Sequence, residues 1–384
     1  MNVRFRVVLA AAAVVAVAVT ASGCSSSGGG VTTSPSASAP VSSSPAAPAK
    51  ELKVTWTYTG PEKDGGYNEI NEVAMNAMAT VPGVTVQPIY DVPYSDAASQ
   101  LLKQAIASGT NVIVDTVGLG KLLTDVCKQY IGQVTCYSGA DAEAQPSNSV
   151  SWWLPDWYLG YVAGVAAGSM TKTHTVGMVV PYKIPIAVQA INTFALGCQS
   201  VDPACQLKVV FTNSYFDPAA ATTASETLAA AGADVLRNIT DDPSFCKVAD
   251  SKGIYAVGEY NDFAAQCPKS IITSTVWDFS NYMMAQAVAN QDGTFAGGGP
   301  TTFVNLSDAP GDPHLGTFGS FVPQDVQDKV KAAYASILAG TNPLVGPISD
   351  QKGVVKVPAG TALDSTFLLT KWDWYVKGVT TSGG

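Results

Sequence analysis

Basic residues and histidine are scarce in this chain. It has 21 Lys and Arg against 30 Asp and Glu, a net charge of −9 and a pI near 4.7. Nucleic-acid binding usually leaves a basic footprint. The balance here argues against it, and residues 1–51 hold no basic helix-turn-helix. Two histidines occur, His174 and His314, and no C-x-x-C, which leaves little for a zinc site. Motifs of catalysis are missing too. There is no G-x-S-x-G elbow, no P-loop and no H-E-x-x-H. The triple glycine at 297–299 does not join a strand to a helix, as a dinucleotide fingerprint must. Asp241 and Asp242 are adjacent, whereas the carboxylates of a glycosidase flank a bond. An Asp-Asp-Pro after a strand more often caps the next helix. No enzymatic activity, metal or cofactor is expected.

The apolar run at 7–20 is 14 residues, too short for a comfortable membrane span, and it follows Arg4 and Arg6. That is the pattern of a signal-peptide core. Ala21-Ser22-Gly23-Cys24 sets small residues directly before a cysteine, as in a bacterial lipobox, with Ala21 where Leu is more usual. Residues 1–23 are therefore read as a lipoprotein signal peptide and Cys24 as the lipidated residue. Residues 25–50 are almost only Ser, Gly, Pro, Ala, Thr and Val, a composition that cannot bury enough apolar surface to order itself. With Cys24 they form an expected tether, 24–50, that spans about 30 Å. It would hold a soluble body on the extracytoplasmic face of the cell membrane.

Setting Cys24 aside leaves six cysteines, an even number that suggests disulfides in an exported chain. Six allow 15 pairings. Sequence proximity favours Cys127–Cys136, Cys198–Cys205 and Cys246–Cys267, each closing a short loop for roughly 2.5–3.5 kcal/mol.

A chain of 384 residues that is 47% hydrophobic is long enough for two domains with buried cores. Residues 232–277 organise the rest. Runs rich in Val and Ile at 235–239, 254–257 and 271–276 read as strands, with a helix at 243–251 between the first two. Thr240, Asp241, Asp242, Glu259, Asn261, Asp262 and Trp277 stand just past these strands, where an open α/β sheet binds its ligand. Strands at 52–58, 84–90, 111–114, 134–137 and 149–153 alternate with helices at 67–80, 96–108 and up to Gln129 in the same way. A helix at 156–170 carries Gly160, Gly164 and Gly168 at four-residue spacing, which predicts close packing on a sheet. Further on, a helix is expected at 278–291, a strand at 302–306, extended chain at 314–321 and a helix at 324–338. Past Gly340 mostly turns and short strands are expected. Periodicity thus gives two doubly wound α/β lobes.

GADV at 232–235, a helix ending in Lys252-Gly253, IYAVG at 254–258 before an acid-rich turn, and TSTVW at 273–277 resemble the basic membrane protein family. These are substrate-binding lipoproteins of ABC importers, and characterised members bind purine nucleosides or nucleobases. Asp64-Gly65-Gly66-Tyr67-Asn68 falls where the family has an acidic residue followed by an aromatic-Asn pair, and Tyr161-Val162-Ala163-Gly164 matches its YLAG helix. The resemblance covers roughly residues 52–379.

It implies a type I periplasmic-binding-protein fold, with Rossmann-like lobes joined by a three-crossover hinge near Trp153, Trp277 and Ala309. One lobe would comprise 51–153 and 278–308, the other 154–277 and 309–384. It further implies a monomer that closes on a small molecule and passes it to an ABC permease. The family's ligand contacts fall on Tyr67, Asn68 and Asp262, and Asp64, Asp156, Asp241 and Trp277 join them as candidates. Tyr67 would stack on a purine, and Asn68 and Asp262 would bond its edge from opposite lobes. In the family the first loop is usually D-K-S-F-N, and nucleoside-binding members commonly carry Lys where Trp277 stands. Both departures bear on ribose rather than on the base. Aromatic side chains also suit sugars, so a sugar- or other solute-binding protein of this fold stays open, as does a ligand-sensing receptor.

Overall fold

The computed structural model describes residues 50–141 and 144–383. The signal segment 1–23, Cys24 and the tether up to residue 49 lie outside the described residues. The chain begins with β1 (Leu52–Thr57), α1 (Tyr67–Ala79), β2 (Val84–Ile89), α2 (Asp96–Ala107), β3 (Val112–Asp115), α3 (Lys121–Gln129), β4 (Thr135–Gly139) and β5 (Ser149–Trp153). It continues through α4 (Asp156–Met170), β6 (Thr175–Val180), α5 (Pro185–Val201), β7 (Gln206–Phe211), α6 (Pro218–Ala230), β8 (Val235–Asn238), α7 (Ser244–Lys252), β9 (Tyr255–Tyr260) and β10 (Ile271–Val276). The remainder is α8 (Ser280–Gln291), β11 (Thr302–Phe303), β12 (His314–Leu315), α9 (Gln324–Leu338), β13 (Ile348–Ser349), β14 (Val355–Val357), α10 (Ser365–Thr370) and β15 (Val379–Ser382).

Two sheets result. The first has the order β11-β5-β4-β3-β1-β2 and is parallel throughout. The second has the order β12-β10-β9-β8-β6-β7-β15, with β12 antiparallel at its edge. The chain leaves the first sheet after Trp153, returns to it after Trp277 for α8 and β11, and crosses again before His314. Helices α1 and α8 pack together against the first sheet, and α2 pairs with α3; α4, α5 and α9 form one layer of the second, and α6 pairs with α7. A parallel strand between two helical layers is buried on both faces and reads as a continuous apolar run. Val112-Ile113-Val114 shows this, with every residue of β3 buried.

Three features differ from the sequence reading. The glycines of α4 meet another helix, α5, rather than a sheet. A Cβ at Gly164 would lie 2.2 Å from the Phe194 carbonyl oxygen, one at Gly168 would lie 2.6 Å from that of Cys198, and one at Gly197 of α5 would lie 1.9 Å from that of Tyr161. Small residues on both helices bring the two backbones into contact. The tail past Gly340 holds a helix besides the expected turns and short strands: α10 packs on α5, while the short strand β15 extends the second sheet by pairing with β7. The expected extended chain at 314–321 shortens to the two residues of β12.

The three proximal disulfides are present, Cys127–Cys136, Cys198–Cys205 and Cys246–Cys267, with Cα separations of 6.4, 6.1 and 5.9 Å. Their first cysteines lie in α3, α5 and α7. Each therefore staples a helix to the chain entering a nearby strand. Among the described residues no helix is long and apolar enough to cross a membrane, and no group of three or more His, Cys, Asp or Glu could hold a metal.

Candidate functional site

Residues just past the carboxyl ends of strands from both sheets line one cavity of about 560 Å³. Thr59 follows β1, Thr116 to Gly118 follow β3, Ala140 follows β4, and Trp153 ends β5. From the other lobe, Pro181, Tyr182 and Ile184 to Ala187 follow β6, Tyr215 follows β7, Ile239 and Asp241 follow β8, Tyr260 ends β9 and Trp277 follows β10. The strand order reverses between β1 and β3 in one sheet and between β6 and β8 in the other, and such switch points are where open α/β sheets leave a crevice.

The buried end of the cavity is aromatic. Trp277 sits among Tyr260, Trp153 and Tyr67, with ring centroids 4.9, 5.8 and 6.2 Å away and all three pairs edge to face. Tyr67 comes from the first lobe and Tyr260 from the second, and their rings are 5.8 Å apart. Tyr260 holds a φ of 74°, an unfavourable region for a bulky residue, and its carbonyl accepts the Trp277 N–H at 2.9 Å. The Tyr67 hydroxyl and the Trp277 Nε1 are both buried without a hydrogen-bond partner. Both residues line the cavity, so a bound ligand is within reach of either group.

Three carboxyls join the rings. Asp156 opens α4 and accepts a bond from Trp153 Nε1 at 3.2 Å. With the Gln189 amide turned to suit its neighbours, its nitrogen donates to Asp156 Oδ2 at 3.1 Å. Burial, then the charge of Glu259, pushes the Asp156 carboxyl up to about 8, so at neutral pH it can donate as well as accept. Asp241 is raised well above the usual carboxylate range, first by burial and then by Asp64. Glu259 is raised by burial, while the fully buried Arg237 opposes the shift through Nη2 at 2.7 Å and Nε at 3.1 Å from Glu259 Oε2. Arg237 also donates to the Gly160 carbonyl at 3.3 Å and lies 5.1 Å from the Phe194 ring centre.

The lobes touch at the cavity edge. Asn261 Nδ2 donates to the Gly65 carbonyl at 3.1 Å. A Cβ at Gly66 would stand 2.6 Å from Asp241 Cα and 2.9 Å from its carbonyl carbon, and one at Gly65 would meet the Pro243 ring at 3.2 Å. The paired glycines are what allow this approach.

Of the residues singled out in sequence, Tyr67, Asp156, Asp241 and Trp277 line the cavity together. Asp64, Asn68 and Asp262 are not part of its wall. Asp64 accepts the N–H groups of Gly66, Asn68 and Glu69 at 2.8, 3.0 and 3.2 Å, which caps α1 and fixes the glycine loop. Asn68 is buried beside that loop, and its Oδ1 has no partner. Asp262 is exposed and accepts the N–H groups of Ala264 and Thr317 at 3.2 and 2.8 Å, holding the chain beside β12. Asp242 caps α7 by accepting the Ser244 N–H at 2.8 Å. Glu259, singled out in sequence by its place at a strand end, also lines the cavity, whereas sequence reasoning did not nominate Tyr260, Tyr94, Tyr182 or Tyr215. Their signal is position, since each lies at or shortly after the carboxyl end of a strand.

A two-lobed α/β body with a cleft of aromatic rings, buried carboxyls and unpaired donors defines a small-solute-binding protein. The pattern of the family described as ABC transporter substrate-binding protein PnrA-like matches residues 52–308, and the chain belongs to that family. A purine-binding protein of Brucella abortus is 30% identical over 347 residues, which is 87% of this chain and 95% of the relative. A putative ABC transporter glucose-binding protein of Haloferax volcanii is 29% identical over 223 residues, 57% of this chain and 52% of the relative. The solved structure of an ABC transporter solute-binding protein from Conexibacter woesei aligns with a TM-score of 0.61 and 21% identity, covering 75% of this chain and 97% of its own. The fold is the type I periplasmic-binding-protein fold. Its family binds solutes for ABC transporters and is not enzymatic.

Proposed function

We propose that this protein captures a purine base or nucleoside between its lobes and delivers it to an ABC permease. The observation that carries the reading is the meeting of Tyr67, Trp153, Tyr260 and Trp277 with Asp156, Asp241 and Glu259 in one buried cleft end. Flat aromatic walls suit a heteroaromatic ring, and carboxyls that can accept or donate suit its ring nitrogens and exocyclic groups. The Brucella relative's name supports the same ligand class. A sugar is the second reading, favoured by the Haloferax relative's name and by the affinity of aromatic faces for sugar rings.

Titration calorimetry with adenine, guanine, hypoxanthine, their nucleosides and glucose decides between them. A purine is expected to bind well below millimolar, and Tyr67→Ala is expected to cost about 1–3 kcal/mol, roughly 5- to 150-fold. Glucose binding with no purine binding would overturn the assignment.

The protein is further proposed to act as a monomer anchored through Cys24 on the extracytoplasmic face of the cell membrane. The small residues before Cys24 and the apolar run at 7–20 support this. Cys24→Ser is expected to move the processed protein from the membrane fraction to the soluble fraction. Retention of the processed variant on membranes would refute the anchor.

A further inference from the structure

The cavity has two unlike ends. At one end Trp277 is 4% and Asp241 3% exposed, and Asp241 borders the rest of the wall through its N–H bond to the Tyr215 carbonyl at 2.8 Å. The remaining wall includes Tyr94, Tyr182, Ile184, Ile186, Tyr215 and Leu369, with Tyr94 at 56% and both Tyr182 and Ile184 at 37% exposed. These six bring no carboxylate, amide or cation. The Tyr94 hydroxyl is already bound to the Val117 carbonyl at 2.6 Å. Lys183, next to Tyr182, stands 5.6 Å from the Tyr375 ring centre and is not in the wall. Tyr182 and Tyr215 meet edge to face at 5.2 Å. Leu369 belongs to α10, past residues 52–308 that the family pattern matches.

Size points the same way. Cavities of about 300–1,000 Å³ enclose drug-sized ligands, and about 560 Å³ leaves room beyond a bare bicyclic base. A ribosyl group would bring several hydroxyls to these six residues, whose unbound side-chain polar atoms are the Tyr182 and Tyr215 hydroxyls, and unpaired hydroxyls are costly to bury. An aliphatic or aromatic group would instead gain from contact with the rings and with Leu369.

Resting on the purine reading, we infer that the site is built for a purine bearing an apolar substituent. The base occupies the buried end and the substituent lies against Tyr94, Tyr182, Ile184 and Leu369.

The test is calorimetry of the full chain without its signal segment, using adenine, adenosine, N6-benzyladenine and 9-benzyladenine. The two benzyl compounds place the substituent on different edges of the ring, so the orientation of the base need not be known. One of them is expected to bind at least about tenfold more tightly than adenine. Leu369→Ala is expected to lower that ratio severalfold. Two results overturn the inference and leave the purine reading standing: adenine binding as tightly as both benzyl compounds, or adenosine outbinding them. A benzyl preference that Leu369→Ala does not touch overturns the assigned wall. Failure of all four compounds to bind overturns the purine reading, and the inference with it.

Discussion

Replacing Gly66 by alanine is expected to weaken ligand capture by roughly 5- to 150-fold. The new methyl group would sit 2.6 Å from Asp241 Cα and 2.9 Å from its carbonyl carbon. Those are backbone atoms of the opposite lobe, anchored by the bond from the Asp241 N–H to the Tyr215 carbonyl at 2.8 Å, so no rotamer change relieves the contact. Forcing an extra carbon into a packed seam costs about 1–3 kcal/mol, and the cost falls only on the state in which the lobes touch. Within its own lobe Gly66 keeps its N–H bond to Asp64 Oδ1, but its φ of −140° and ψ of −122° lie outside the regions that a residue with a Cβ favours, so alanine adds local strain to the clash across the seam. The apparent affinity for a ligand that binds the closed lobes falls with the fraction of protein able to close. Calorimetry with a ligand that binds the wild type, paired with small-angle scattering, reads both quantities. Unaltered affinity and an equally compact liganded shape in Gly66→Ala would show that the glycine seam does not govern closure.

The two lobes were legible in sequence because parallel strands buried on both faces announce themselves. Val235-Leu236 and Ile271-Ile272 are apolar runs too short for helices, and turns and helical stretches separate them. The disulfides were legible because helix-to-strand connections are short, so neighbours in sequence were neighbours in space. What escaped depends on distant chain. Residues of β15, Val-Thr-Thr-Ser, have no apolar pattern of their own and become a strand by completing the edge beside β7. The glycine stripe of α4 needed Gly197 on α5 for its meaning, a residue remote in sequence. At the site, position past a strand end was a sound guide, but side-chain direction was not readable. Asp241 turns into the cavity while Asp242 caps α7, and Glu259 faces the cavity while Asp262 braces Thr317. Adjacent or nearby carboxyls therefore serve opposite ends, and only the packing distinguishes them.

The largest effect on stability is expected at Arg237, which lies behind the cavity wall rather than in it. Arg237→Met should lower the unfolding free energy by about 3–5 kcal/mol near pH 8, because a buried ion pair that loses one partner leaves the other charge uncompensated. The side chain is 0% exposed and its ion pair with Glu259 is closed by two bonds to one carboxylate oxygen. Glu259 would then face burial with Asp156 and Asp241 as acidic company on the same cavity. The sign of the pH dependence follows from this. The folded Glu259 carboxyl already lies above its ordinary value with Arg237 present, and removing the cation raises it further. A carboxyl whose folded pKa is raised gives stability that is complete below the unfolded pKa and is lost as pH rises through the folded one. The deficit of Arg237→Met against the wild type should therefore be smallest near pH 5 and grow towards pH 8. Urea unfolding of the ligand-free proteins at several pH values measures it. Pairing Arg237→Met with Glu259→Leu should recover much of the loss and flatten its pH dependence, since two apolar groups replace two charges. A deficit below about 1 kcal/mol at pH 8, or one that shrinks as pH rises, would show that this pair does not hold the Glu259 carboxylate in its charged form at the cavity wall.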